Sequence, residues 1–139
     1  MATNNQFSIA VHLMAGLGYN SGMDITSSQL AKSVNTSASF VRRILAKLSK
    51  AGLVYTTTGK AGACSLAISP SKISLLDIYR TIDPPRVFSI HSYRAQKACP
   101  ISCNIKSALE KVLDQTQASM ENRLSKISLA QVIADIKKA

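Results

Sequence analysis

The sequence predicts a mainly α fold with a small β-hairpin. Three observations carry that expectation. Large apolar residues recur every three or four positions through several stretches. Two short β-rich runs, "LVYTTT" and "ACSLAI", flank the glycine-containing "GKAG". No acidic residue stands between Ile25 and Leu76, while Arg42, Arg43, Lys47 and Lys50 crowd one mid-chain segment.

Phe7, Ala10, Val11 and Met14, with Ile9, Leu13 and Leu17 alongside, repeat at helical spacing up to Gly18. The first helix is apolar nearly all round and is expected to be buried. His12 within it has no expected partner. "DITSSQLAKSV" offers Thr26 as N-cap with Gln29 three residues on, a capping box, and Leu30, Ala31 and Val34 form the inner face of a short second helix. "NTSA" breaks that helix with residues that bond their own backbone, and Thr36 or Ser37 can cap the next one.

In "SFVRRILAKLSKAGLV", Val41, Ile44, Leu45 and Leu48 fall on one side of a helical wheel, the pattern of a core-facing stripe. Arg43 and Lys50 lie opposite with Ser39, and Arg42 and Lys47 flank them. With no acid nearby to pair at i,i+4, that outer face suits an anion better than water alone. Gly52 ends the helix, and the hairpin follows. A short helix around "SLLDIYRTI" precedes the rigid "DPPR". Beyond Val87 to Ala98, the residues Ile101, Ile105, Leu109, Val112, Thr116, Met120 and Leu124 step through about six turns. So long a stripe in so small a chain predicts pairing with a second copy. "SLAQVIADIKKA", with a capping box in Ser128 and Gln131, is expected to fold back as a last helix.

The 139 residues suffice for one domain's core, and the formal charge of +10 excludes a basic partner. Residues 1 to 70 hold six Lys or Arg against Asp24 (+5), and residues 71 to 139 hold eleven against six acids (+5). Nucleic acid is the expected polyanion. There is no apolar run of about 18 residues and no basic-then-apolar start, so no membrane partner is expected and the cytoplasm is the expected location. Three cysteines argue against a disulfide framework. No nucleophile, base and orienter set and no phosphate-binding glycine loop is present, so the chain is not expected to be an enzyme.

Helix, short helix, turn, cationic helix, hairpin is the order of a winged helix-turn-helix, here with a long dimerisation helix appended. The expected division is a DNA-binding domain over 1–83, a linker and sensor loop over 84–103, and dimerisation and C-terminal helices over 104–139. "QLAKSVNTSASFVRRILAKLSKAGLV", "TTTGKAGACSLA" and "SPSKISLLDIYRTID" resemble the Rrf-two family of bacterial regulators, relatives of the iron-sulfur cluster assembly regulator and the nitrite-sensitive repressor. The resemblance covers most of the chain. It implies a homodimeric transcription factor on double-stranded DNA, expected to be a repressor.

Carried over by position, the resemblance implies base reading by Ser39, Arg42 and Arg43, with arginine forks suited to guanine O6 and N7. Thr26, Ser27, Ser28, Thr36 and Ser37 would bond phosphates with Lys47, although capping alone also explains the hydroxyls. The family wing commonly carries an arginine just before its first glycine. Here Thr58 stands there, and Lys60 is the only cation at the tip.

Family members that hold a [2Fe-2S] cluster share three closely spaced cysteines. This chain has Cys99 and Cys103 in that region, with Cys64 far off in the hairpin and His91 as a conceivable substitute, so no cofactor is expected. Pro100 suits the first position of a helix, which makes Cys99 its cap, beside free backbone N–H groups at the positive end of the helix dipole. A thiolate is favoured there, and Arg94 and Lys97 act in the same sense. Cys99 is the candidate sensor of an oxidant or electrophile, with Cys103, or Cys99 of a second copy, as its partner. Two small residues filling a dimer junction is the competing reading, and Cys64 is expected in the core. Two other functions fit the charge: a nonspecific nucleic-acid binder, or a protein-interaction module regulating a metabolic enzyme.

Overall fold

A computed structural model describes residues 5–57 and 62–139. The chain divides into two compact units, Met1–Pro84 with Leu124–Ala139, and Pro85–Arg123.

In the first unit, α1 (Gln6–Tyr19) buries Ala10, Leu13, Met14, Ala15 and Leu17. Two short helices follow, α2 (Ser27–Val34) and α3 (Ala38–Lys50), and α3 buries Val41, Ile44, Leu45 and Leu48. Each such side chain withdrawn from water contributes about 1.5 to 3 kcal/mol. α3 stops at the cap Ala51, and Gly52 after it takes φ +81°, a left-handed conformation that glycine adopts without a Cβ clash. The hairpin forms from β2 (Val54–Thr56) and β3 (Ala63–Leu66), shorter than the runs suggested. A third strand joins it: β1 (Ile25–Thr26) pairs with β3, Ile25 opposite Cys64 and Thr26 opposite Ala63, giving the antiparallel order β1-β3-β2. Two residues are too few for alternation to betray a strand.

A 3₁₀ turn (Pro70–Lys72) leads to α4 (Leu75–Thr81), whose capping box of Ser74 and Asp77 closes with hydrogen bonds of 3.1 and 2.9 Å. α6 (Leu129–Lys138) begins at the capping box of Ser128 and Gln131. The Leu75 N–H donates to the Ile127 carbonyl at 2.9 Å and the Leu129 N–H to the Ile73 carbonyl at 2.8 Å, tying the starts of α4 and α6 together. α6 packs on α1, where a Cβ at Gly18 would collide with Ile133. It therefore belongs with the helix-turn-helix, whereas the sequence division put it with the long helix over 104–139.

The second unit holds residues 85–99, without regular structure, and most of α5 (Pro100–Ser125). The helix begins at Pro100, inside the stretch set aside as a loop. Its 26 residues run about 39 Å, and none is buried. Ile101 is 73% and Val112 53% exposed. Arg86 reaches Asp114 at 2.7 Å, and the Val87 N–H donates to Gln117 Oε1 at 3.0 Å, fixing the segment before the helix along it. Among the described residues no helix is long and apolar enough to cross a membrane.

Candidate nucleic-acid interface

The geometry begins at the turn between α2 and α3. Thr26 Oγ1 accepts from the Gln29 N–H at 3.1 Å, and Gln29 Oε1 accepts from the Thr26 N–H at 2.9 Å. At the other end Asn35 takes φ +64°, and the N–H groups of Asn35 and Thr36 both donate to the Ala31 carbonyl, at 2.8 and 3.1 Å. Asparagine tolerates the left-handed region better than most residues. The chain then reverses into Ser37, whose Oγ accepts from the Phe40 N–H at 3.2 Å and caps α3.

Burial of one side of α3 leaves Ser39, Arg42, Arg43, Lys47 and Lys50 on its exposed side. Among the described residues none of these four cations forms an ion pair. The two arginines diverge. Arg42 borders a cleft of about 210 Å³ between α3 and the sheet, with Ser27, Thr56, Thr57, Gly62 and Cys64. The Arg43 guanidinium lies over the Phe40 ring, its carbon 5.3 Å from the centroid.

The hydroxyls separate by what they bond. Thr26 and Ser37 are occupied as helix caps, and Ser39 Oγ lies 3.4 Å from Ser37 Oγ. Ser28 is exposed without a capping bond, and Thr36 is half-buried. Thr58 and Lys60 lie outside the described residues. His12, expected to lack a partner, has one: its Nε2 lies 2.8 Å from Ser33 Oγ, linking α1 to α2. Local spacing cannot reveal a bond between residues 21 positions apart. The Phe40 platform was also missed, although an aromatic three residues before an arginine on a helix is a readable signal.

The candidate thiols lie in the second unit. Cys99 immediately precedes α5, and its Sγ accepts from the Ser102 N–H at 3.4 Å, the bond of a helix cap. Cys103 is exposed, and its Sγ donates to the Gln96 carbonyl at 3.4 Å. The preceding loop is laced to the same turn: Tyr93 donates to the Ser102 carbonyl and the Gln96 N–H to Ser102 Oγ at 2.8 Å. His91 stacks on Tyr93 at 4.8 Å. Cys64 is buried on β3, and burial pushes its thiol up from the usual range.

Residues 3–135 match the family model Rrf2, described as iron-dependent transcriptional regulators. The chain is 34% identical over 132 residues to YwnA of Bacillus subtilis (strain 168), named as an HTH-type transcriptional regulator, covering 94% of this chain and 96% of that one. It superposes with a TM-score of 0.82 on a Lactobacillus plantarum protein described as a transcriptional regulator, at 26% identity and with 96% and 90% of the two chains covered. The IscR of T. potens matches with a TM-score of 0.68 at 25% identity, over 98% and 88%. Among the described residues no three His, Cys, Asp or Glu side chains come together in a set that could hold a metal ion. Cys99 and Cys103 at the head of α5 supply two thiols where a cluster takes four ligands, so the described residues of one chain do not by themselves fit an iron-sulfur centre. By the family match across residues 3–135 and the resemblance to YwnA along nearly the whole chain, this protein belongs to the Rrf2 family, as a DNA-binding transcriptional regulator and not an enzyme.

Proposed function

We propose that the chain is a sequence-specific repressor that binds double-stranded DNA as a homodimer. The observation that carries this reading is the division of α3: a fully apolar underside seated in the core, and an outer side of hydroxyl and unpaired cationic groups behind a helix-turn-helix turn. Ser39, Arg42 and Arg43 read base edges, and Ser28, Thr36, Ser37 and Lys47 hold phosphates. Lys60 belongs to the same proposal as the wing's contact. The open apolar stripe of α5 supports the homodimer, because Ile101 and Val112 stay exposed in one chain and pairing with a second copy is the simple way to cover them. Arg43→Ala, tested by binding to duplexes selected from a random pool and by footprinting, is expected to cost about 1 to 3 kcal/mol on the selected site and to relax preference at one base pair. Equal loss on every duplex makes Arg43 a phosphate contact instead.

The regulation we propose is oxidation of Cys99. Its sulfur attacks a peroxide oxygen, the O–O bond breaks, and sulfenic acid forms as the peroxide is reduced to water. Condensation with a second thiol, Cys103 or Cys99 of the other copy, forms a disulfide and releases water. The capping bond at Cys99 supports this assignment, because the Ser102 N–H holds its sulfur at the head of α5, one turn from Cys103. Cys99→Ser is expected to keep DNA binding and to lose its response to peroxide. A retained response removes the assignment.

A further inference from the structure

We propose that Phe40 is a positioning residue for DNA reading: its ring is the platform that aims Arg43 at a base edge. This rests on the reading that Arg43 contacts a base. Phe40 stands one turn before Arg43 on α3, half-buried and packed on the core, so its ring is fixed by the fold. The Arg43 guanidinium lies over it at 5.3 Å. Long side chains of a helix fold back toward its N-terminus, which is the end a recognition helix inserts into the major groove.

The chemistry of the contact matters as much as its position. A guanidinium over an aromatic face is held by the ring quadrupole and uses none of its N–H groups for it. The planar fork stays free to donate two hydrogen bonds to guanine O6 and N7. An ion pair would occupy the same donors with a carboxylate, and no acid exists from Ile25 to Leu76 to do so. The platform therefore limits the rotamers Arg43 must give up on docking while leaving its reading edge open. Arg42 borders the cleft instead and, among the described residues, has no aromatic ring under its guanidinium. Phe40 thus determines how sharply Arg43 discriminates, without touching DNA itself.

The test uses the full-length protein, the duplex it enriches from a randomised pool, every single base-pair variant of that duplex, and a random duplex. Arg43→Ala is expected to flatten discrimination at one base pair. Phe40→Leu is expected to weaken discrimination at that same base pair about three- to tenfold, with affinity for the random duplex unchanged. Phe40→Tyr keeps the platform and is expected to retain discrimination, and Phe40→Leu is expected to add nothing once Arg43 is alanine. NMR of the unmutated, DNA-free protein reads the platform directly, as upfield ring-current shifts of the Arg43 side-chain protons. If Arg43→Ala flattens a base pair and Phe40→Leu leaves it intact, or if no ring-current shift is seen, the inference about Phe40 falls and the role of Arg43 stands. If Arg43→Ala flattens nothing, or no duplex is enriched, the underlying reading falls and takes this one with it.

Discussion

The two units close their apolar surface in different ways. The first folds five α-helices and three short strands around Leu13, Met14, Ile44, Leu48, Ile73, Ile78 and Leu129, all fully buried. The second consists mostly of α5, in which no residue is buried. Both have the helical apolar periodicity of a packed element, so periodicity alone does not say whether the partner is the same chain or another. What separates them is supply. Around α1 the chain returns repeatedly, through α2, α3, α4 and finally α6. Along α5 its own unit provides only the irregular segment 85–99.

That difference breaks most sharply under truncation of a core residue. Leu48→Ala is expected to destabilise the first unit by about 2 to 5 kcal/mol, read by urea or thermal denaturation, because a closed core cannot collapse onto the lost side chain. The corresponding change on α5 has another readout. Val112→Lys is expected to leave helical content intact and to weaken self-association at least about tenfold in sedimentation equilibrium, since a cation placed in an apolar interface must be desolvated. A loss of helix without a change in association would mean that α5 is held by its own chain. The smallest effect is expected at Arg86→Ala. The ion pair with Asp114 leaves both side chains more than half exposed (53% and 68%), so water screens it and its loss costs at most about 0.5 kcal/mol of stability.

The helices were legible because their signals are local. Thr26 with Gln29 and Ser128 with Gln131 cap as their spacing demands, and the stripe of α3 is buried where the wheel puts it. Pro100 opens α5 with Cys99 before it for the same reason. What escaped depends on distant residues. β1 exists only because β3 lies beside it, and α6 finds α1 across more than a hundred positions of sequence. His12 bonds a serine on another helix, invisible to any window of neighbouring residues. Of the candidate interface, the residue types and their helix face were readable. The fate of Arg42 was not, since it turns on a cleft that only packing creates, whereas the ring under Arg43 stands three residues before it and its spacing could have been read.

The seating of Ile133 against Gly18 carries a consequence for biosynthesis. The residue that locks the opening helix is made more than a hundred codons after it. During translation the DNA-reading unit must wait, incomplete, until the long helix has emerged and its successor has looped back. A chain made only as far as Ser125 would leave uncovered the side of α1 on which α6 packs.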